Sequence, residues 1–427
     1  LIFQFVDVCT NVVMFGGWHA VANIAFALRQ YGFYGNINII CDDSHLPYHI
    51  PPLSKDFLKK KIEENKLSFK KADFYNDQNI LVNLNTRVHT IDLESNKVCS
   101  DDASFDFDYL VFATGASARL LPMKNAQAKN LFYLRQISDV LSMQKVIAAG
   151  KKIVLIGGGY IGLEVASAMI ELGLDVTILE SEDRILKRVT SPELSKFYND
   201  FHSKMGVKII CNTKLNELIA DNENINTVCL ESGEKIEADM ILVGIGAIPN
   251  VQLAESIGLA CDNGIKTDQF CRTSSPNILA VGDCTSSFNT LLNKELRLES
   301  VPNALAQSKV ASSSIVGNDL FNNEMPWFWS DQYDLKLQMA GISGGYDECH
   351  ILGDISSAEF IACYGKDGYL IAIDSVNQSK QFMLFKRALS NGFKLEMELV
   401  KNENFQAESI FSGSHEITYR KPIGRQL

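Results

Sequence analysis

The residues of this chain whose types and spacing could do chemistry begin with three glycines that follow an apolar segment. Gly157, Gly159 and Gly162 form a G-x-G-x-x-G motif directly after residues 151–156. The first glycine of such a motif permits a tight turn, the second lets the backbone approach a pyrophosphate, and the third lets a helix pack on a strand. The free N–H groups at the helix N-terminus favour an anion. The motif therefore predicts a dinucleotide site.

A carboxylate that could complete this site follows the next predicted strand. Residues 175–179 read Asp-Val-Thr-Ile-Leu, and Glu180 comes directly after them. An acid at this distance accepts a hydrogen bond from a ribose 2′-hydroxyl, and its charge would repel a 2′-phosphate. The pattern favours NAD(H) over NADP(H). The alternative is a glycine-rich turn without a ligand, but the strand, helix, second strand and terminal acid together favour the ligand.

A second unit of the same order lies about 140 residues earlier. Residues 12–15 predict a strand, Gly16 and Gly17 a turn, residues 20–30 a helix and residues 37–41 a second strand, with Asp42 after it. Two such units predict either two dinucleotides or one dinucleotide and one relic of a site.

Composition and cysteine spacing exclude several classes of protein. The chain has 427 residues, enough for two or three domains, and a net charge of −11, which argues against a general nucleic-acid binder. No apolar run reaches the roughly 18 residues of a membrane span, and we expect no secretion signal. The ten cysteines form no C-x-x-C pair, which argues against a zinc ribbon, an iron–sulfur cluster or a redox dithiol. The scattered cysteines fit a reducing cytoplasm, and no metal site is predicted.

Two segments of similar build frame the second unit. Residues 108–116 and 239–250 each predict a strand that ends in a glycine turn, as paired crossings between domains would. The second unit is therefore predicted to be an insertion, which is possible where the ends of the inserted domain are close together. After residue 326 the chain alternates apolar and polar residues, which is typical of antiparallel strands. The predicted fold class is α/β, with two Rossmann-like domains and a C-terminal α+β domain.

Taken together, these motifs make the chain resemble a known family. In order along the sequence the matching segments are residues 46–55, 113–115, 133–135, 157–164, 244–250, 281–284, 299–304 and 328–332. The chain is similar to the FAD-dependent ferredoxin–NAD reductases of oxygenase electron-transfer systems. The resemblance implies an FAD-binding domain at 1–115 and 246–325, an NAD-binding domain at 116–245, and a C-terminal interface domain at 326–427.

The same resemblance implies roles for individual residues. Ala20 and Asp42 would touch the FAD pyrophosphate and adenosine ribose, Val88 the adenine, and Arg135 the polar backbone of FAD. The other FAD contacts implied are Gly16, Lys55, Asp283 on the ribityl chain and Val301 at the pyrimidine end. For NAD(H) they are Gly157, Gly159, Tyr160, Gly162, Glu180 and Gly246.

The implied reaction passes electrons from NADH through FAD to a ferredoxin-type iron–sulfur protein or a rubredoxin. The implied catalytic residues are Lys55, Glu164 and Trp329, with Lys55 and Glu164 expected to form an ion pair. Tyr160 either covers the flavin when NADH is absent or simply packs at a helix start. Lys309 either belongs to a basic patch for an acidic ferredoxin or is an ordinary solvated lysine.

The first glycine motif departs from the family pattern. Alignment places Trp18 at the middle glycine and Val21 at the third. A side chain at the middle position crowds the pyrophosphate, so three interpretations stay open: a rearranged loop that still binds FAD, a dead site, or an unusual variant of the sequence. The alternatives to a ferredoxin reductase are accordingly a degenerate, flavin-poor NADH-binding or interaction protein and a rubredoxin, quinone or radical reductase of similar build.

Overall fold

The computed structural model describes residues 9–411 and 418–419. Its largest elements are two parallel sheets, one antiparallel sheet and the helices that cover them, which confirms the predicted fold class. The helices are His19–Gln30, Ala72–Asp77, Ile137–Gln144, Tyr160–Glu171, Pro192–Lys204, Gln252–Ser256, Val301–Ile315, Ser379–Ser390 and Met397–Val400. Short 3₁₀ helices are Pro51–Ser54, Glu64–Lys66, Gly282–Cys284, Ile355–Ser357 and Ala407–Phe411.

The first parallel sheet draws its strands from two distant parts of the chain. Its spatial order is Ile278–Ala280, Tyr109–Phe112, Asn11–Phe15, Asn36–Ile40 and Ile80–Asn83. The central strands are almost wholly buried because His19–Gln30 and Val301–Ile315 pack on one face, and the small sheet that begins with Val88–Asp92 packs on the other together with Gln252–Ser256. Strands that are buried on both faces are apolar without alternation. The long helix Val301–Ile315 packs on this sheet. Ser300 caps its N-terminus, where the Ser300 hydroxyl accepts a hydrogen bond from the Asn303 N–H.

The second parallel sheet repeats this arrangement. Its order is Lys208–Ile210, Asp175–Leu179, Lys152–Ile156, Met240–Val243 and Leu131–Phe132. All of these strands fall between the two strands of the first sheet at Tyr109–Phe112 and Ile278–Ala280, as an insertion requires. The exact domain boundaries given above stay predictions.

The two chain crossings between the sheets run side by side. Ala116–Ala118 and Ala247–Pro249 form an antiparallel ribbon in which Ala118 pairs with Ala247. Two hydrogen bonds between Asn250 and Thr114 join the two crossings next to this ribbon. The Asn250 side-chain amide donates to the Thr114 carbonyl oxygen at 2.8 Å, and the Thr114 hydroxyl donates to the Asn250 carbonyl oxygen at 2.7 Å. The two ends of the inserted segment therefore lie next to each other.

The C-terminal part is an antiparallel sheet with helices against it. The order is Trp327–Gln332, Leu335–Gly341, Tyr369–Val376, Glu359–Lys366 and Glu348–Asp354. Ser379–Ser390 packs its phenylalanines Phe382 and Phe385 onto this sheet. The alternation read from the sequence after residue 326 is confirmed as antiparallel strands.

Smaller sheets complete the structure. They comprise Val88–Asp92 with Lys97–Ser100 and Ser104–Asp106, Leu215–Asp221 with Asn224–Leu230 and Lys235–Glu237, Ile265–Thr267 with Thr285–Asn289 and Lys294–Leu296, and Phe393–Lys394 with Thr418–Tyr419. Within the described ranges, no helix combines the length and apolar character needed to cross a membrane.

Candidate functional site

One large cavity of about 1200 Å³ lies where the three sheets meet. Its wall takes residues from both glycine turns, from the segment around Lys55 and from the first strand of the C-terminal sheet. A cleft at the carboxyl ends of parallel strands is where open α/β sheets bind nucleotides. The sequence-predicted residues that line it are Ala20, Lys55, Arg135, Gly157, Gly159, Tyr160, Gly162, Glu164, Glu180, Gly246, Asp283, Val301 and Trp329.

The three glycines of the second unit differ in what an added side chain would meet. A Cβ on Gly157 would lie 2.4 Å from the Gly244 carbonyl oxygen, and Gly157 also has a φ of +108°. A Cβ on Gly162 would lie 2.4 Å from the Gly157 carbonyl oxygen. By contrast, apart from its neighbours in the chain, no atom of the described residues lies within 4 Å of the corresponding point at Gly159. Gly159 therefore faces open cavity at the N-terminus of Tyr160–Glu171, as a residue under a pyrophosphate must.

Glu180 is held in place beside this turn. Its Oε2 accepts a hydrogen bond from the Gly158 N–H at 2.7 Å, and its Oε1 accepts one from the Glu182 N–H at 2.9 Å. The carboxylate thus lies at the end of its strand with a fixed orientation toward the cavity that it lines. This position suits an acceptor for a ribose hydroxyl.

The first unit has the same backbone plan but a different surface. Its strand, turn and helix are Asn11–Phe15, residues 16–18 and His19–Gln30, with element lengths equal to those of the second unit. Trp18 occupies the place of Gly159, just before the helix. The strand register places Cys41, and not Asp42, at the position of Glu180. Gly16, the exposed Asp42 and Val88 lie outside the cavity lining, and their contacts with a ligand stay predictions.

The Trp18 indole lies against two residues of the cavity wall and one buried tyrosine. Gly115 is so close that a Cβ there would be 3.0 Å from Trp18 Cζ3. The Arg135 guanidinium carbon is 5.7 Å from the indole ring centre, within the range of a cation–π contact. The indole N–H faces the Tyr48 hydroxyl and favours its ionised form, although burial raises the pKa of Tyr48 overall.

The predicted ion pair between Lys55 and Glu164 is present. Lys55 Nζ lies 3.2 Å from Glu164 Oε1. Sequence reasoning missed two further partners, since the hydroxyls of Ser54 and Ser330 donate to the same carboxylate at 2.5 and 2.7 Å. Burial is the largest influence and raises the pKa of Glu164, while Lys55 and the two serines oppose the rise. Glu164 thus joins the inserted segment to the first part of the chain through Ser54 and Lys55, and to the C-terminal part through Ser330.

Lys55 also has a second carboxylate within reach. Asp331 Oδ2 lies 3.3 Å from Lys55 Nζ and is more exposed than Glu164. Ser330 and Asp331 both belong to the segment 328–332 that carried the family resemblance. The sequence therefore pointed to this segment, but it did not indicate that these two side chains contact Glu164 and Lys55. The two carboxylates hold the Lys55 ammonium group in place at this end of the cavity, where its positive charge can orient a bound group.

Arg135 and Asp283 form a second ion pair on the cavity wall. Arg135 Nη2 donates to Asp283 Oδ2 at 3.3 Å. Burial is the main cause that raises the pKa of Asp283, and Arg135 acts against it. The buried Nε of Arg135 has no hydrogen-bond partner among the described residues. That unused donor points to an anionic or oxygen-bearing ligand next to Arg135.

Aromatic side chains line the end of the cavity near the C-terminal sheet. Trp327 and Trp329 stack with ring centres 5.5 Å apart. Phe328 packs against Tyr160 at 5.1 Å, and the Tyr160 hydroxyl donates to Met339 Sδ at 2.8 Å. The two interpretations of Tyr160, cover for a ligand and plain packing, both remain open because it lines the cavity and is packed at once.

A buried aspartate on the cavity wall had no signal in the sequence. The Tyr364 hydroxyl donates to Asp374 Oδ2 at 2.5 Å and accepts from the Ser191 N–H at 3.1 Å. Burial raises the pKa of Asp374 to about 7, and the Tyr364 hydrogen bond only partly opposes this. Tyr364 and Asp374 lie ten residues apart on neighbouring strands, and the Ser191 N–H comes from the inserted segment, so the strand pairing and the packing of the two segments bring these groups together.

We expect Asp374→Asn to stabilise the protein at alkaline pH. The folded-state pKa is raised above 3.8, so the protonated carboxyl stabilises the fold at low pH, and that stability is lost as pH rises through about 7. Asparagine removes the loss, and the gain should reach on the order of 3 kcal/mol by pH 8. Urea unfolding between pH 4 and 8 measures it. Asp354→Asn at an exposed site is the control, and an equal gain there, or a gain independent of pH, would contradict the prediction.

Comparison with known proteins places this geometry in a family. Residues 10–308 match the family model described as pyridine nucleotide-disulphide oxidoreductase, and residues 327–411 match the model described as reductase C-terminal. The chain is 37% identical to putidaredoxin reductase of Pseudomonas putida, over 95% of this chain and 97% of that protein. It is 36% identical to rubredoxin–NAD(+) reductase of Pseudomonas putida, over 90% and 99%.

Solved structures agree with the sequence comparison. The reductase in the covalent putidaredoxin reductase–putidaredoxin complex matches with a TM-score of 0.91 and 36% identity, covering 94% of this chain and 98% of that one. A ferredoxin reductase from Rhodopseudomonas palustris also matches at 0.91, with 34% identity and coverage of 93% and 99%. The chain therefore belongs to the pyridine nucleotide-disulphide oxidoreductase family, in the group of ferredoxin–NAD reductases that includes putidaredoxin reductase.

Proposed function

We propose that this chain is an NADH-dependent flavoprotein reductase. It passes electrons from NADH through FAD to a ferredoxin-type iron–sulfur protein that serves an oxygenase. The observation that carries the proposal is the single cavity shared by both glycine turns and by the Lys55–Glu164 ion pair. Such a cavity allows a nicotinamide and a flavin to meet inside one molecule.

The second glycine turn fits NAD(H). Gly159 leaves open space at the helix N-terminus for a pyrophosphate, and the carboxylate of Glu180 is fixed where a ribose hydroxyl would donate to it. The negative charge of Glu180 disfavours the additional phosphate of NADP(H). We therefore propose NADH as the electron donor.

FAD fits the remaining part of the cavity, with one side chain in its path. Lys55, Asp283 and Val301 line the wall where the resemblance places the ring system and ribityl chain, and Arg135 has an unused donor beside them. FAD supplies the conversion of a two-electron donor into one-electron steps. Trp18 comes directly before the helix whose N-terminus would bind the pyrophosphate, and its side chain lines the same cavity.

Within the site we assign distinct tasks to the charged residues. Lys55, held by Glu164, supplies a fixed positive charge close to the proposed ring site, and Ser54 and Ser330 keep the carboxylate from turning away. Arg135 and Asp283 supply a donor and an acceptor for the polar chain of the cofactor. Tyr160, Phe328 and Trp329 give the cavity an apolar wall that limits entry of water.

Electron release through a cysteine pair is disfavoured by the state of the thiols. No cysteine is among the described residues that line the cavity. Cys41 and Cys284, the cysteines nearest the two cofactor motifs in sequence, are buried, and burial raises their pKa to about 12 and 11. They would be poor nucleophiles at neutral pH. We propose that electrons leave at the Trp329 side of the cavity instead.

The nature of the acceptor rests on the relatives. Ferredoxin-type proteins are the first choice, and the rubredoxin reductase relative supports rubredoxin as the second. Lys309 is exposed on its helix, as docking to an acidic ferredoxin would need, and its role stays a prediction. The nine cysteines from Cys41 to Cys363 are thiols, which supports our proposal that the protein works in the cytoplasm.

An absorption spectrum of the purified chain tests the proposal. With FAD present, a flavin band that NADH bleaches under anaerobic conditions is expected, followed by reduction of an added ferredoxin or rubredoxin. If NADH bleaches the flavin band but electrons pass to a small quinone and to neither protein, the proposed protein acceptor is wrong and the chain is a quinone reductase. A protein that binds NADH and never binds FAD would overturn the reductase function and favour the flavin-poor alternative.

A further inference from the structure

We infer that Trp18 is a displaceable plug of the first phosphate site, and that its movement limits the binding of FAD. The inference rests on the proposed function, because it concerns the flavin of that reaction. It goes further by naming the side chain of this particular chain that sets flavin affinity and loading rate.

The second unit of the same molecule shows what the plug blocks. Both units have a five-residue strand and a twelve-residue helix joined by three residues, so Trp18 and Gly159 occupy equivalent positions before their helices. The space in front of Gly159 is open to 4 Å. At Trp18 an indole stands at this point, where free N–H groups of the helix would otherwise receive a pyrophosphate.

The indole contacts groups from separate parts of the chain. It packs on Gly115 at the end of a strand of the first sheet, lies near the Arg135 guanidinium, and faces the Tyr48 hydroxyl. The ring is also partly buried against the neighbouring apolar cluster; each of these contacts is individually weak, and none is a salt bridge. The indole can therefore be displaced by a ligand that offers stronger partners to the same groups.

Displacement would release groups that suit a phosphate. Arg135 already has a buried Nε without a partner, and its Nη2 is held only by Asp283 among the described residues. When the indole leaves, the guanidinium gains an open side toward the helix N-terminus. A pyrophosphate there would receive charge-assisted hydrogen bonds from Arg135 in place of the cation–π contact.

Flavin binding kinetics test the plug directly. If only the open form accepts FAD, the apparent Kd exceeds the intrinsic Kd by the inverse of the open fraction. One hydrogen bond and one cation–π contact together correspond to roughly a tenfold factor. We therefore expect Trp18→Gly to bind FAD about tenfold more tightly than the natural chain, as measured by quenching of FAD fluorescence on titration into the flavin-free protein.

The association rate gives a second readout that does not depend on turnover. In the natural chain the observed rate should level off as FAD concentration rises, because opening of the plug becomes limiting. In Trp18→Gly it should stay proportional to FAD concentration. Trp18→Phe keeps a ring over Arg135 but loses the N–H that faces Tyr48, so its affinity should fall between the two.

The outcomes separate this inference from the proposed function. If Trp18→Gly binds FAD no more tightly than the natural chain and its rate levels off in the same way, the plug is refuted while the reductase stands. Weaker binding by Trp18→Gly, with its thermal unfolding midpoint unchanged, would also refute it and would make the indole a flavin contact. If neither protein binds FAD, both the plug and the reductase function fail.

Discussion

Replacing Gly159 with alanine is expected to weaken NADH binding at least about tenfold, or 1.4 kcal/mol, and to leave the free protein as stable as before. Apart from its neighbours in the chain, the added methyl group would meet no atom of residues 9–411 within 4 Å, and the backbone φ of −85° is one that alanine adopts readily. It would meet only a pyrophosphate that approaches the turn. Titration with NADH and the thermal unfolding midpoint of the free protein measure the two halves of this prediction.

Gly162→Ala is the matched control three residues away. There the methyl group would lie 2.4 Å from the Gly157 carbonyl oxygen, so the helix must shift from the strand. We expect a loss of about 1–3 kcal/mol in the free energy of unfolding, as for other overpacked sites. If Gly159→Ala lost stability as Gly162→Ala does, and kept its affinity for NADH, the dinucleotide site at this turn would be refuted.

Replacing Lys55 with methionine should lower the free energy of unfolding by about 3 kcal/mol at pH 8, because it leaves the buried Glu164 carboxylate without its cation. Burial already raises the pKa of Glu164, and removal of Lys55 raises it further. An acid with a raised folded-state pKa stabilises the fold below its unfolded pKa and loses that stability as pH rises. The loss in the free energy of unfolding caused by Lys55→Met should therefore become smaller as pH falls from 8 toward 5, as measured by urea unfolding.

Two control variants make this result specific. Lys61→Met removes a surface partner of Glu171 and should leave the unfolding midpoint almost unchanged. The double variant Lys55→Met with Glu164→Gln removes both charges and should recover most of the loss. A deficit that is the same at pH 5 and pH 8, or that persists in the double variant, would mean that Lys55 acts through packing rather than through its charge.

The backbone plan was predictable because it depends on local patterns. Apolar runs and helical periodicity placed the strands and helices of both units to within a residue or so, as with the helix expected from residue 20 that begins at His19. The glycines at 157 and 162 are required by backbone atoms only a few ångströms away, so their motif carries the geometry with it. The ion pair between Lys55 and Glu164 followed from the family motifs rather than from local pattern.

The remaining features of the site depend on contacts between distant segments. Asp374 meets Tyr364 through the pairing of neighbouring strands, and Tyr364 meets the Ser191 N–H only after the C-terminal sheet packs beside the inserted segment. The position of Cys41 in register with Glu180 needed the strand pairing, since the sequence alone offered Asp42 as the acid. The surroundings of Trp18 likewise combine Gly115 and Arg135, which no spacing rule connects to it.

The paired crossings at Ala118 and Ala247 have a consequence for how such reductases diversify. Because the inserted segment begins and ends at neighbouring residues, it can be exchanged as a cassette for another segment whose ends are equally close. Donor preference could then change by recombination while the flavin part is inherited intact. Such an exchange has one requirement. The new segment must place a carboxylate at the position of Glu164, because Ser54, Lys55 and Ser330 in the rest of the chain bind a carboxylate there.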